Sequence, residues 1–442
     1  MKKEAVVTLA KDLLIPGALA EKARLDVIDG WLRWSPEKLS VPNHASQEQR
    51  DLRDLSESGW MSLVVTNLAQ QLFAEGARST DRPSDGKGIA PIWRPWIANR
   101  MESRQRAIHR AALAYGYAYT TSMPGTTGSV IRGYSPRQMY AVYGDPTVDE
   151  YPLYYLRKTS SNGYVVVDEE AVYTLIDVDG RLQYVEHNVH GTGVAPAIRF
   201  SNQIDLEGRT PGEVEPLITL AKRVHKTTYD RLLIQHFNSW KVRYATGLDM
   251  PEDPTERERV KTLLRHNDIL TGEKDVAFGT LDETPLDGII KAEDKDVETF
   301  AAISQTPAHA LTGKMINLSA EAIAEARAML DLKAGERKVG FGDSHAQTLR
   351  LAAHQENRKE DAADFTLRID WRDLESRSMS QAADALGKIA TMLGVPPEKL
   401  WDRIPGVTPD TAAEWLTWKQ ANPSATEQMA AAINTQSNGA DG

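Results

Sequence analysis

The 442-residue sequence predicts a mainly helical α+β fold. Three observations carry this. Apolar residues recur at helical spacing over 47–73 and 93–117. The pattern changes to alternation, cut by turn signals, over 119–188. It returns to helical spacing from 213 onward.

In order, residues 1–20 read as a short amphipathic helix broken at Pro16-Gly17, and 25–45 as irregular chain. Asp29-Gly30, Pro36 and Pro42 are the breakers there, and Trp31 and Trp34 the packing anchors. Leu52, Leu55, Trp60, Leu63, Val64 and Leu68 predict two helices split near Gly59. A polar loop is expected over 75–88, then one long helix from 93, stopped at Tyr115-Gly116-Tyr117. Strands are expected at 119–123, 128–133, 139–143, 151–158, 164–168, 171–178 and 181–188, as one antiparallel sheet region. Asp179-Gly180 is the clearest hairpin turn. A helix over 213–245 would span about 50 Å at 1.5 Å per residue. An insert with a short helix and strand-like pieces follows over 248–287, then a second helix over 288–304, interrupted at Thr306-Pro307. Ser319 is the N-cap of a helix expected to reach 354. Residues 365–371 alternate and predict one strand returning to the sheet. Helices at 380–393 and 408–420 precede a tail rich in Ala, Asn, Gln, Ser and Gly.

Composition narrows the chemistry. There is no cysteine, which excludes disulfides, thiolate metal sites and cysteine nucleophiles. Net charge is -10, the reverse of the basic excess of a protein that grips DNA. No apolar run reaches membrane-spanning length, and no secretory signal is expected. Gly191-Thr192-Gly193 opens like a dinucleotide fingerprint, but Pro196 stands where the third glycine belongs. His187 and His190 sit in a strand-to-turn context that does not aim them at one metal. Glu293, Asp294, Asp296 and Glu298 offer either a Mg²⁺ cluster or, by default, a solvated helix face. No cofactor and no catalytic constellation are expected.

The order of parts is more informative than any motif. Gly59 to Leu68, Trp93 with Asn99-Arg100-Met101, and Tyr115-Gly116-Tyr117 come first. Ser135-Pro136 with Tyr143-Gly144-Asp145, then Gly193 to Asn202, follow. Leu318 to Ile323 with Phe341-Gly342, and Ile369-Asp370-Trp371 with Ser380-Gln381, complete the series. Together they resemble the portal proteins of long-tailed phages over roughly 25–420.

The resemblance implies a portal fold assembled as a ring, typically of twelve subunits. It divides the chain into wing (1–212), first stem helix (213–247), clip (248–287), second stem helix (288–305), tunnel loop (306–318), wing long helix and strand (319–376), and crown with tail (377–442). The implied function is the channel at the capsid vertex for genome packaging and ejection, in the virion, after assembly in the host cytoplasm. The implied partners are non-specific double-stranded viral DNA, the terminase, a head–tail connector and the major capsid protein; no membrane is involved. Over 217–246 the first stem helix holds six Lys/Arg (Lys222, Arg223, Lys226, Arg231, Lys241, Arg243) against Asp230, and over 288–304 the second holds four acids against two lysines. The two are expected to pair, between or within subunits. The second is expected to face the channel through Lys291, Asp294, Lys295 and Glu298, as an acidic wall that repels phosphate. In the tunnel loop the candidates are Lys314, Thr312, Asn317 and His309, with Lys314 either touching phosphate or simply exposed. In the clip they are Arg259, Lys261, Arg265 and His266. Two rival readings are another virion part, connector or capsid subunit, and a metal-dependent hydrolase using the 293–298 acids.

Overall fold

A computed structural model describes residues 1–33, 37–80, 90–239, 243–246, 252–257, 277–280, 285–313, 320–372, 379–404, 406–407 and 409–423. The first helix does not break at Pro16. Helix α1 (Lys3–Leu9) passes through a π turn (Ala10–Leu14) into α2 (Ile15–Leu32). Proline has no N–H for the usual bond four residues back. The wider turn before it, in which Ile15 N–H bonds the Ala10 carbonyl, shifts the spacing to five and carries the helix past the gap. The stretch expected to be irregular from residue 25 is therefore helical to Leu32.

Helices α3 (Gln47–Leu55) and α4 (Trp60–Gln70) are separate, as the Gly59 break predicts. Ser46 starts α3 with a reciprocal capping box to Gln49. Strand β1 (Ala74–Arg78) lies where a polar loop was expected. The helix expected from 93 is instead a short α5 (Arg94–Ala98) and α6 (Met101–Tyr115), separated by Arg100 in the left-handed region. Asn99 holds that corner by bonding Pro95 O, Ser129 O and Ile131 N–H. Gly116, at φ 99°, ends α6; a Cβ there would lie 1.9 Å from the Thr210 carbonyl oxygen, so only glycine fits.

Strands β2 (Tyr117–Gly125), β3 (Gly128–Tyr134), β4 (Met139–Val142), β5 (Tyr154–Lys158), β6 (Gly163–Val167), β7 (Ala171–Val178), β8 (Arg181–Val189) and β9 (Ala197–Ser201) follow. Asp179 and Gly180 make the β7–β8 turn at φ 52° and 77°. Helix α7 (Ile218–Ser239), β10 (Arg243–Thr246), β11 (Ala277–Thr280), α8 (Asp287–Ser304) and the short α9 (Ala308–Thr312) come next. The chain closes with α10 (Ala320–Gln355), α11 (Lys359–Ala362), β12 (Arg368–Trp371), α12 (Met379–Leu393) and α13 (Pro409–Ala421).

These elements form two compact units. The first comprises residues 1–29, 64–215 and 328–442. Its strands form separate sheets, not one: β3-β2-β9 and β4-β5-β6-β7-β8, all neighbours antiparallel. Strand alternation explains the division. Leu156, Val166, Tyr173 and Leu175 point to one face of the larger sheet and pack on Val6, Ala10 and Leu14. Tyr155, Val165 and Val167 point to the other and pack on Tyr117, Tyr119 and Ala197 of the smaller sheet. Strand β12 does not return to either sheet; it pairs with β1, Ala77 opposite Ile369. The second unit comprises residues 30–63 and 216–327 and contains α3, α7, α8 and the β10–β11 pair.

Candidate functional site

The second unit is built on an antiparallel pair of helices, α7 and α8. On α8, Val297, Phe300, Ala301 and Ser304 recur at three- and four-residue spacing and are buried. On α7, Leu220, Ala221, Val224 and Tyr229 are buried. Phe300 is fully buried and meets Trp60 edge-on at 5.6 Å. Trp31 stacks on His225 at 5.3 Å, and Ser58 N–H donates to His225 Nε2 at 3.1 Å. Burial holds the His225 imidazole below its ordinary pKa, against the smaller opposing effect of the Ser58 carbonyl 3.4 Å from Nε2. It is therefore the neutral ring whose lone pair accepts from Ser58.

A charged seam runs beside this apolar one. Arg223 Nε lies 2.9 Å from Asp296 Oδ1, and Arg231 Nε 2.5 Å from Glu293 Oε2. The hydroxyls of Thr227 and Thr228 donate to the same two carboxylates at 2.8 and 3.0 Å. The basic and acidic helices thus pair within one subunit.

This pairing changes the charge of the other face of α8. Glu293 and Asp296 turn inward, while Lys291, Asp294, Lys295 and Glu298 share the exposed stripe. Lys295 bridges Glu298 at 3.1 Å. With Asp287, exposed one turn before Lys291, that stripe carries two lysines and three acids. The exposed face is thus less acidic than the five acids of α8 suggest, because two of them pair with arginines of α7.

After α8, Gln305 takes the left-handed conformation, and Thr306 and Pro307 are buried. Residues 308–312, expected to be loop, form the short helix α9, closed by Gly313 at φ 68°. His309 is half-buried and its carbonyl accepts from Gly313 N–H. Thr312 is exposed, its hydroxyl bonded to Ala308 O at 3.0 Å. Lys314 and Asn317 lie outside the described residues, as do Arg259, Lys261, Arg265 and His266 of the insert. The two ends of that insert meet as β10 and β11, Arg243 opposite Thr280 and Thr246 opposite Ala277. The insert is therefore an excursion that begins and ends at one place.

Neither histidine of the His187–His190 pair is turned toward a shared ligand. His187 Nδ1 meets the Tyr184 hydroxyl, and His190 Nε2 the Asp168 carbonyl. Among the described residues, no group of three or more His, Asp or Glu side chains is gathered around a possible ion. Trp93, Trp96, Tyr115 and Tyr117 are buried, as core rather than base-stacking platforms.

The first unit holds two polar arrangements that no sequence spacing announces. Glu213 is buried against Lys333 and Arg337 of α10, and Asn202 links Glu213 to Arg337 by bonds of 3.0 and 2.7 Å. Only residues more than a hundred positions apart complete it. The second arrangement is the fully buried pair His109 and His345, whose Nε2 atoms are 2.8 Å apart. A lone polar residue on an otherwise apolar helix face is the one local hint that the sequence offers for either.

Comparison with known proteins places these features in a family. A solved structure described as the neck of a native GTA particle computed with C12 symmetry matches with a TM-score of 0.43 and 14% identity, covering 80% of this chain and 91% of that one. No curated protein matches the sequence. The family model for phage portal proteins of the SPP1 Gp6-like type matches residues 20–434. The chain therefore belongs to the phage portal protein family, a structural and non-enzymatic family of phage-particle components.

Proposed function

We propose that this protein forms a ring, of twelve subunits as is typical of its family, at the capsid vertex and provides the channel for double-stranded DNA during packaging and ejection. The carrying observation is the α7–α8 pair, whose seam neutralises its own charges and leaves α8 with an exposed face of mixed charge. That face, through Lys291, Asp294, Lys295 and Glu298, lines the channel in this reading. Alternating unit charges a few ångströms apart cancel within about one Debye length, roughly 8 Å at physiological salt. DNA then meets neither a strong grip nor a strong barrier.

The rest of the assignment follows the family. Residues 306–318, with His309, Thr312, Lys314 and Asn317, form the tunnel loop at the narrow point. The insert 248–287, with Arg259, Lys261, Arg265 and His266, docks the terminase motor and later the connector. The subunits assemble in the host cytoplasm. Support comes from the position of these segments on either side of the helix pair and from the paired ends of the insert.

The test is charge reversal on the exposed face. Lys291→Glu with Lys295→Glu makes it wholly acidic, and packaging should slow, with added salt restoring it. Asp294→Lys with Glu298→Lys leaves Asp287 as its one acid among lysines, and DNA should be retained with a steep salt dependence. Normal packaging and ejection by both double variants would show that this face does not line the channel.

A further inference from the structure

Two surfaces of the first unit are exposed, partly apolar and of opposite charge. The outer face of α10 carries Met329, Leu332 and Val339, which are 52, 68 and 68% exposed. Spacings of three and seven residues place them on one stripe. Asp331, Glu336 and Asp343 border it, all exposed, with Glu336 also 3.1 Å from Arg337 and Asp343 3.8 Å from Arg368. The opposite side of the same helix is core, with Arg337, Phe341 and His345 buried.

The second surface surrounds α5 and α6. Arg94, Arg100, Arg104, Arg106 and Arg110 stand against Glu102 alone, a local +4 in a chain of net -10. All five arginines are exposed, and among the described residues none forms an ion pair. Here lies a cleft of about 640 Å³. Phe73, Trp93 and Trp96 floor it, Arg100 and Arg106 wall it, and Ile97, 48% exposed, stands at its rim. The Arg106 guanidinium sits over the Phe73 ring at 5.3 Å.

The two surfaces look away from each other. Trp96, in the floor of the cleft, meets His345 edge-on at 4.9 Å, on the inner side of α10. The Met329–Leu332–Val339 stripe is on the outer side. Different patches on opposed sides of one unit are what a head-to-tail contact requires, and a two-fold contact of either patch with itself would set like charges together.

We propose that the acidic, apolar stripe of α10 docks in the arginine-walled, aromatic-floored cleft of the next copy of this chain. The proposal deepens the ring reading above and rests on it. Leu332 and Val339 cover Ile97 at the rim of the cleft, while Asp331, Glu336 and Asp343 face the arginines. A cleft for nucleic acid alone would not call for the apolar stripe, and the stripe alone would not explain five arginines without carboxylate partners.

The absence of cysteine makes a clean test possible. Val339→Cys and Ile97→Cys are prepared separately, both at exposed positions, and treated with a short bismaleimide. Co-assembling the two in equal amounts should convert up to about half of the protein to a cross-linked dimer, the share that random head-to-tail neighbours allow, while either variant alone stays at background. A chain carrying both substitutions should give a ladder of multimers. Arg100→Glu with Arg106→Glu should abolish assembly, and adding Asp331→Arg with Asp343→Arg should restore it. Protein that sediments as rings but gives no cross-link in the mixture overturns this contact and leaves the ring. Sedimentation as a monomer at every concentration overturns both. Loss of salt-dependent duplex DNA binding in the Arg100→Glu, Arg106→Glu variant, with assembly intact, assigns the cleft to nucleic acid and also overturns the contact.

Discussion

Mild acid should weaken this protein through the buried histidine pair. His109 Nδ1 lies 3.2 Å from the Leu72 carbonyl, so that nitrogen carries the proton and donates. A neutral His109 then accepts at Nε2, and His345 Nε2–H is the donor across the 2.8 Å contact. His345 Nδ1 is left as a bare lone pair, buried without a partner. Both rings are fully buried and surrounded by Phe200, Phe341, Trp96 and Trp371. Burial pushes His109 down from 6.5 to about 4, opposed by its Leu72 contact, and lowers His345 as well, with His109 adding to the effect. The folded pKa is depressed, so the unfolded chain binds the proton first. Stability is therefore complete above the unfolded value of 6.5 and is lost as pH falls toward 4. Between pH 7.5 and pH 5, His109 alone should cost about 2 kcal/mol. The assay is urea unfolding followed by tryptophan fluorescence at fixed protein concentration, for the natural sequence and for His109→Gln. The natural sequence should lose about 2 kcal/mol more than the variant over that interval. Equal losses would refute the argument, since His345 and the carboxylates titrate in both.

Three further outcomes are expected. Gly116→Ala should cost about 3 kcal/mol or more, read as a fall in the melting temperature, because the new Cβ meets the Thr210 carbonyl in a left-handed backbone position. Glu213→Gln should cost about 3–5 kcal/mol in chemical denaturation, since it removes the buried carboxylate charge that Lys333 and Arg337 share. A double-mutant cycle on Arg231→Ala and Glu293→Ala should give a coupling of only about 1 kcal/mol, because both side chains keep partial solvent contact; a coupling near zero would mean that the seam contributes no pairing energy.

The Glu213–Lys333–Arg337 cluster joins the chain just before α7 to α10 and fixes where the long helix lies within the first unit. A buried charge cluster is costly to break yet adds little net stability. A displaced α10 would also move the stripe that contains Leu332 and Val339.

The helices and most of the strands were legible in the sequence because their signals are local. Period-3.6 and period-2 patterns, Gly59, Gly116 and Asp179-Gly180 act within a few residues of themselves. The family resemblance was legible for the same reason, as an ordered series of short phrases. What only the tertiary structure decided is partnership. Pro16 reads as a breaker until the π turn before it is seen. The strand at 368–371 reads as part of the main sheet until β1, nearly three hundred residues earlier, claims its edge. The acids Glu293, Asp294, Asp296 and Glu298 read as one charged face until Arg223 and Arg231 draw two of them inward. A sequence states which groups a segment carries, but the charge and the surface that it presents depend on which groups a distant segment has already covered.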